Sequence, residues 1–268
     1  MDYLLGIIIF LFGTIIGSFL NVVIFRFNTQ RGLGGRSACA NCNKKLEAHE
    51  LIPVVSYILQ GGKCKKCKSK ISVQYPIVEL LSGLIFALLF YKLHYVLALS
   101  PANFAFMIVY YAYLMSILLV IAVYDAKHKI IPNSLSYLFS FVAFLGLFFI
   151  TSHGFSPHLP TLGQILSGPF LATPFVLIFL LSQGKWMGLG DGKLALGIGF
   201  MLGLSHGIAS ILLAFWSGAI ISIFILLSRA RGYNMNSEIP FAPFMIFGLM
   251  IAFFFSIDLG TIAGWFIL

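Results

Sequence analysis

A chain of 268 residues with 60% hydrophobic and only 9% charged residues differs from soluble globular domains, in which about a quarter of the residues are charged. This composition excludes a soluble globular protein and predicts an integral membrane protein. The formal net charge is +9, but no basic groove with interleaved aromatic residues and no recognition helix accompanies it. The sequence therefore predicts no nucleic acid partner.

Long apolar runs predict an all-α polytopic membrane protein with about eight transmembrane helices. A bilayer core of about 30 Å requires about 20 apolar residues per helix. The first run has no basic segment before it and no small-residue cleavage site after it, so we interpret it as a retained span and not as a signal peptide. The predicted spans lie near residues 3–25, 77–93, 104–124, 134–150, 164–182, 194–205, 207–228 and 241–257.

The basic residues predict the orientation of these spans. If the loop 26–76 is cytoplasmic, all of the 17 Lys and Arg residues except Lys92 lie on the cytoplasmic side of eight alternating spans. The positive-inside rule then places both termini outside. We expect some of this charge to contact anionic lipid headgroups.

The loop 26–76 is the one sizeable segment outside the predicted spans, and it contains every cysteine of the chain. The cysteines form two Cys-x-x-Cys pairs, Cys39 with Cys42 and Cys64 with Cys67. Two such pairs, about twenty residues apart, are typical of a tetrahedral zinc site with four thiolate ligands. Four protein ligands leave no open position for water, so the zinc is expected to be structural. Disulfides, free thiols and His49 as a substitute ligand are the alternatives, although a cytoplasmic loop is a reducing environment.

Two aspartates stand at the ends of predicted spans. Asp125 closes the third span, and Asp191 opens the sixth within the sequence GLGDGK. Ionisable side chains at membrane depth are costly and therefore indicate function. Two carboxylates brought together can share one proton, so that one activates water while the other polarises a carbonyl, which is aspartyl peptide hydrolysis. For Asp191 alone, a helix cap is an equally good interpretation.

Three glycines, at positions 188, 190 and 192, surround Asp191. Because glycine has no Cβ atom, we expect these positions to let an extended substrate backbone approach the aspartates. Glycine is also ordinary in membrane helices, which is the simpler alternative.

The segments YDAKHKIIPN and GLGDGK together resemble the two aspartate motifs of the type IV prepilin peptidases, bifunctional membrane enzymes of the GxGD aspartyl protease group. The segments GSFLNVVIFR, ISVQYPIVELLSG and EIPFAPFMIFG and the two cysteine pairs are similar to the family's other landmarks, in the family's order. Ala242 departs from the commoner IPFGPF form of the last segment. The resemblance implies a bacterial cytoplasmic membrane enzyme that cleaves a type IV prepilin or pseudopilin leader after a glycine, at the cytoplasmic face. It also implies methylation of the new N-terminus with S-adenosylmethionine.

Carried over position by position, the resemblance makes Asp125 and Asp191 the catalytic pair and the four cysteines the zinc ligands. It places methyl transfer within residues 17–83. The residues expected to bind the methyl donor are Gly17, Ser18, Asn21, Arg26 and Glu79. For Glu79, a salt bridge to Arg26 or to a lysine of the loop is the alternative. Glu238 is a candidate contact for a basic leader, with a helix cap before Pro240 as the alternative.

The expected domains are a first transmembrane helix at 1–25, a zinc-binding loop domain at 26–76 and a membrane aspartyl peptidase domain at 77–268. One rival interpretation is an ion-coupled transporter whose intramembrane carboxylates bind the ion and whose zinc loop docks a partner. Another is a membrane methyltransferase or assembly factor in which the aspartates are only helix caps. The oligomeric state is not predicted from the sequence.

Overall fold

The structure is a computed structural model that describes residues 2–29, 32, 34–39, 41–151, 154–227 and 239–266. The candidate leader contact Glu238 lies outside these described residues. The described part is mostly helical, as predicted. It divides into two compact units, Met1–Tyr95 with Tyr111–Val120 (unit 1) and Val96–Tyr110 with Ile121–Leu268 (unit 2).

The structure describes ten helical segments. In chain order they are α1 (Asp2–Arg26), a 3₁₀ helix (Ala48–Leu51), α2 (Val55–Leu59), α3 (Gln74–Leu99), α4 (Pro101–His128), α5 (Asn133–Gly146), α6 (Leu162–Ser182), α7 (Leu189–Leu227), α8 (Ala242–Phe254) and α9 (Leu259–Gly264). One antiparallel hairpin between α5 and α6 pairs β1 (Ile150–Thr151) with β2 (Gly154–Phe155).

Among the described residues, five helices are long and apolar enough to cross a membrane, namely α1, α3, α4, α6 and α7. Helix α5 and helix α8 cover two further predicted spans but are shorter. The predicted spans 194–205 and 207–228 both fall within α7, where Gly203 alone has non-helical backbone angles (φ 74°, ψ −176°). The structure therefore supports a polytopic helical membrane protein, while the count of eight spans stays a prediction.

In unit 1, α1 packs closely against α3 because small residues face each other. A Cβ atom on Gly17 would lie 2.8 Å from the Glu79 Cα atom, a distance that real Cβ atoms do not show. One turn away, the Ser82 hydroxyl donates a 2.7 Å hydrogen bond to the Gly13 carbonyl. Backbones that approach this closely are typical of membrane helix pairs built on small residues. Gly17 is thus a packing residue that brings the neighbouring polar side chains of α1 up to α3.

In unit 2, α7 packs against α5, α6 and α8. The buried Ser167 hydroxyl of α6 donates a 2.8 Å hydrogen bond to the Gly199 carbonyl of α7. On another side of α7, the Ser140 hydroxyl of α5 donates a 3.0 Å bond to the Lys193 carbonyl. These side-chain bonds to the α7 backbone fix the position of its first half, which carries Asp191.

Candidate active site and metal centre

The two predicted catalytic aspartates lie together in unit 2. Asp125 is in the last turn of α4 and Asp191 is in the first turn of α7. Both side chains are buried, with exposed fractions of 4% and 7%, and the two carboxylates are close enough to interact electrostatically. Neither aspartate has a cation partner among the described ion pairs. Burying two negative charges is therefore costly, and a proton shared between the carboxylates removes one of the two charges.

Asp125 has a hydrogen-bond donor that the sequence did not predict. The backbone N–H of Ala242, the first residue of α8, donates a 3.2 Å bond to Asp125 Oδ2. A carboxylate at the C-terminus of α4 faces the unfavourable end of that helix dipole, whereas the N-terminus of α8 offers the favourable end. The available signal was Pro243, because proline marks the first turn of a helix and so places free N–H groups next to it.

The glycines around Asp191 mostly serve packing. A Cβ atom on Gly190 would lie 2.9 Å from Ile131 Cβ, and one on Gly192 would lie 3.3 Å from Val176 of α6. The expectation that all three glycines leave room for a substrate is therefore wrong for Gly190, whose open side is filled by Ile131. Gly188 differs, because its nearest neighbour would be 3.9 Å away. Room for a substrate backbone remains there.

Lys193 holds the start of α7 against α5. Its Nζ atom donates a 2.8 Å hydrogen bond to Asn133 Oδ1 and lies 4.8 Å from the centre of the Tyr137 ring. Although Lys193 is only two residues from Asp191 in the chain, its described partners are on α5. It therefore acts as a positioning residue for the helix that carries Asp191.

The four cysteines form one cluster in unit 1, and all four thiols are free. Their Sγ atoms lie within 4.8 Å of one another, with 3.8 Å between Cys39 and Cys67 and 4.0 Å between Cys42 and Cys64. A zinc ion at about 2.3 Å from four sulfurs sets tetrahedral edges of about 3.8 Å, whereas a disulfide requires about 2.0 Å. The cluster fits a tetrahedral metal ion, and the disulfide alternative is wrong for this structure.

The two cysteine pairs have the same local structure. Antiparallel bridges join Ala38 to Lys45 and Lys63 to Lys70. In each pair the N–H group four residues after the first cysteine donates a 3.0 Å bond to that cysteine's carbonyl, and the donor has a positive φ, 52° at Asn43 and 59° at Lys68. Each pair is thus a tight turn that aims two thiols at one point.

The surroundings favour the thiolate form of Cys39 and Cys67, whereas desolvation and the neighbouring thiols raise the pKa of Cys42 to about 11. Backbone N–H groups of Cys42 and Asn41 lower the pKa of Cys39 to about 6, and the Ser69 hydroxyl lies 3.0 Å from Cys67 Sγ. His49 is not part of the described metal-ligand cluster. Its Nε2 atom instead lies 2.8 Å from Lys65 Nζ, so the alternative of a histidine ligand is not supported.

A part-buried ion pair joins the first cysteine turn to the 3₁₀ helix. Lys44 Nζ lies 3.1 Å from Glu50 Oε1, and Glu50 is buried. The backbone N–H of Glu47 and the Lys44 ammonium together lower the pKa of Glu50. This ion pair therefore links the first cysteine turn to the 3₁₀ helix that precedes α2.

Three of the five residues predicted for the methyl donor gather at the start of α3. Glu79 is buried and its Oε2 atom accepts a 2.7 Å hydrogen bond from the Val54 backbone N–H, while the Ser18 hydroxyl also bonds to the Glu79 carboxylate. Asn21 is fully buried, and its Nδ2 atom donates a 3.1 Å bond to the Tyr75 carbonyl.

For the other two predicted residues, Gly17 and Arg26, the described contacts are with α3 and with the loop, and their role in binding the methyl donor stays a prediction. Gly17 allows the close packing of α1 on α3. Arg26 donates bonds of 2.7 and 2.6 Å to the carbonyls of Gly32 and Gly34, so it holds the start of the loop. Neither Arg26 nor a lysine pairs with Glu79 among the described ion pairs. The salt-bridge alternative for Glu79 is therefore not supported by the described residues.

A helical membrane protein with a buried aspartate pair and a four-thiolate cluster has the architecture of a membrane aspartic peptidase with a metal-binding loop. The profile of the Bacterial Peptidase A24 N-terminal domain matches residues 11–93. The profile of the Type IV leader peptidase family matches residues 112–223. No solved structure matches the chain.

Curated relatives that match nearly the whole chain carry the name prepilin leader peptidase/N-methyltransferase. The protein of Bacillus subtilis is 32% identical over 92% of this chain and 93% of its own length. Those of Neisseria gonorrhoeae and Pseudomonas aeruginosa are 27% and 29% identical over 88% and 90% of this chain, and each match covers 87% of the relative. The chain belongs to the type IV leader peptidase family, and it is a membrane aspartic peptidase.

Proposed function

We propose that this protein cleaves the leader from type IV prepilin or pseudopilin precursors, after a glycine and at the cytoplasmic face of the membrane. We further propose that it methylates the new N-terminus with S-adenosylmethionine. The observation that carries the proposal is the burial of Asp125 and Asp191 beside each other at the ends of two membrane helices. The names of the curated relatives support both activities.

In the proposed cleavage, one aspartate is ionised and the other is protonated. The ionised carboxylate takes a proton from the attacking water, and the protonated one donates a hydrogen bond to the scissile carbonyl. The Ala242 N–H holds one oxygen of Asp125, which fixes the orientation of that carboxyl group. The open side of Gly188 is where an extended precursor backbone has room to approach.

For methyl transfer we propose the region 17–83, with Ser18, Asn21 and Glu79 as the binding residues. When bound, S-adenosylmethionine supplies a methyl group on a positively charged sulfur. The buried carboxylate and the Ser18 hydroxyl that bonds to it suit a positively charged group. Gly17 and Arg26 complete the proposed methyl-donor set, Gly17 through its close packing on α3 and Arg26 through its bonds to the loop. We propose that the peptidase activity belongs to the domain 77–268.

For the metal we propose one structural zinc ion held by Cys39, Cys42, Cys64 and Cys67. The spacing of the four Sγ atoms supports this ion, and four thiolates leave no position for a reacting water. The zinc would hold the loop 26–76 in shape and would take no part in either reaction.

We propose that the protein is a multi-pass protein of the bacterial cytoplasmic (inner) membrane, with the zinc loop and the aspartates on the cytoplasmic side and both termini outside. The distribution of Lys and Arg residues supports this orientation. The membrane lipids and the pilin precursor, which offers a basic leader followed by an apolar helix, are its partners.

The test is mass spectrometry of a pilin precursor that is co-expressed with this protein or with its Asp191→Asn variant. The wild type is expected to remove a leader-sized mass and to add about 14 Da, the mass of one methyl group. The variant is expected to leave the precursor unchanged. No mass change with the wild type, for two different pilin precursors, would contradict the proposal and favour the ion-coupled transporter.

A further inference from the structure

Glu79 is a buried carboxylate whose described partners are all uncharged. Its exposed fraction is 6%, and its hydrogen bonds come from the Val54 backbone N–H and the Ser18 hydroxyl. Within the described part of the chain, the ion pairs are Lys44 with Glu50 and His49 with Glu47, and neither includes Glu79. A buried negative charge is costly unless a positive group compensates it.

The backbone that binds Glu79 is strained. Val54 has φ 62° and ψ −52°, and the Val55 N–H donates a 2.6 Å bond to the Pro53 carbonyl across it. This geometry is a γ-turn of the rare, positive-φ kind, and a β-branched residue tolerates it poorly. Such strain persists where the surrounding structure enforces it, which is common at binding sites. Here it presents the Val54 N–H to the Glu79 carboxylate.

One turn along α1 from Ser18, Asn21 carries an amide oxygen, Oδ1, that has no hydrogen-bond partner among the described residues. Asn21 is fully buried. The close contact between Gly17 and the Glu79 backbone brings this face of α1 onto the same part of α3. Buried polar atoms are nearly always hydrogen-bonded, so an orphaned acceptor in a folded protein suggests a donor that arrives with a ligand.

From these contacts we propose that Glu79, Asn21 and the Val54 turn form a binding site for an organic cation, an alkylammonium or a sulfonium group. Both side chains offer oxygens that can accept hydrogen bonds from an ammonium group or interact electrostatically with a sulfonium and its polarised methyl group. The carboxylate also carries a charge that its described protein partners leave uncompensated. The Val54 N–H and the Ser18 hydroxyl orient the carboxylate. This inference rests on the proposed methyltransferase activity, and it assigns the Val54 turn to that site.

Two participants in methyl transfer carry such a cation. The methyl donor has a positively charged sulfur, and the trimmed pilin has an N-terminal ammonium group. The demethylated donor, S-adenosylhomocysteine, retains its ammonium group but has a neutral sulfur, so a comparison of the two nucleosides isolates the sulfonium charge. A peptide with a free N-terminus and its acetylated form isolate the pilin ammonium in the same way.

The experiment measures equilibrium binding of these four probes to the full, zinc-loaded protein in detergent. The wild type is expected to prefer one probe over the counterpart that lacks the tested charge by about tenfold or more, since tenfold corresponds to about 1.4 kcal/mol. In Glu79→Gln this preference is expected to fall below about twofold, because the amide keeps the shape and removes the charge. If Glu79→Gln loses the preference for S-adenosylmethionine over S-adenosylhomocysteine, the site binds the sulfonium. If it loses the preference for the free peptide over the acetylated peptide, the site binds the pilin amine.

The matched control is Ser82→Ala. It removes a buried hydroxyl group of α3 that donates to the Gly13 carbonyl and does not bond to Glu79. It is expected to keep the wild-type preference. Asn21→Leu is a second test variant and is expected to lower the preference about threefold or more, about 0.65 kcal/mol. Zinc content and unfolding temperature show which variants are folded.

Two results overturn the inference. One is a wild type without preference for either cation, and the other is a folded Glu79→Gln or Asn21→Leu variant that keeps the full preference. Because binding is measured without cleavage or transfer, such a result in a protein that trims and methylates pilin contradicts this inference alone. A protein that neither trims nor methylates contradicts the proposed function, whatever it binds.

Discussion

Each unit buries a carboxylate near the end of a membrane helix, but the neighbours of the two carboxylates differ. In unit 2, Asp125 lies beside a second aspartate, Asp191. In unit 1, the described partners of Glu79 are the Ser18 hydroxyl and the Val54 backbone N–H. A pair of carboxylates lowers its electrostatic cost by sharing a proton, and it can then act as acid and base together. A single carboxylate has no such partner, so it suits a positively charged ligand.

The two sites also share a feature. In both, a backbone N–H holds one carboxylate oxygen, Ala242 for Asp125 and Val54 for Glu79. A backbone donor orients the carboxylate without neutralising it, whereas a lysine or arginine would do both. The sites therefore keep their charge available for the chemistry proposed for each of them.

The largest expected effect separates the two sites. Asp125→Asn is expected to lower leader cleavage by about 10³-fold or more, because the pair loses its acid–base function, and to leave methylation of an already trimmed pilin unchanged. Glu79→Gln is expected to lower methylation of the trimmed pilin and to leave leader cleavage unchanged. Mass spectrometry of full-length and pre-trimmed pilin, incubated with each variant, measures both activities.

Asp258→Asn is the control for this pair of variants. Asp258 caps α9 through a 2.8 Å bond from the Thr261 N–H, and asparagine caps a helix equally well. Loss of both activities in either test variant, with a folded protein, would show that the two sites do not act separately.

The next largest effect concerns the metal. Removing zinc with a chelator, or through Cys42→Ser, is expected to speed proteolysis within the loop 26–76 by about 100-fold, since structural zinc contributes several kcal/mol to local folding. Cleavage after the lysines of this loop is followed by peptide mapping, and metal content is measured by mass spectrometry. One zinc per chain is expected. Equal proteolysis with and without metal would contradict a structural role.

A smaller effect tests the glycines of unit 2. Gly190→Ala is expected to destabilise the protein by about 2 kcal/mol, because the new methyl group meets Ile131 in a packed site. Gly188→Ala, the matched control, has open space and is expected to cost less than about 0.5 kcal/mol. Unfolding in detergent measures both. If Gly188→Ala nevertheless slows cleavage, the substrate passes over that position.

The smallest expected effect is the coupling of Lys193 with Asn133. A double-mutant cycle with Lys193→Met and Asn133→Leu is expected to give about 1 kcal/mol in the free energy of unfolding, the value of one partly exposed hydrogen bond. Cleavage is expected to slow in both single variants, since α7 carries Asp191. A coupling energy near zero would mean that the observed bond does not fix α7.

Much of the fold and of the candidate sites could be predicted from the sequence, for physical reasons. Apolar runs indicated the long helices, because a bilayer demands about 20 apolar residues per crossing. The cysteine spacing indicated the thiol cluster, because a tight turn can aim two sulfurs at one ion. The pairing of Asp125 with Asp191 was predicted from the order of the spans together with the motif resemblance.

Other features could not be predicted, because they depend on contacts between distant parts of the chain. The bond from Ala242 to Asp125 and the contact of Ile131 with Gly190 arise only when helices pack. The positive φ of Val54 is unexpected for a valine, since local preference alone would exclude it. The break at Gly203 lies close to the predicted boundary near Ser205, but glycine is so common in this chain that its position gave no signal.

The metal cluster has a consequence for the unfolded chain. Through Cys42 and Cys64 a bound ion closes a loop, and Val54 lies near the middle of that loop. Closing a loop removes conformational entropy from the unfolded chain, as a crosslink does. The segment around Val54 then has fewer alternative conformations to relax into. A metal that performs no chemistry would in this way keep a strained turn in place against Glu79.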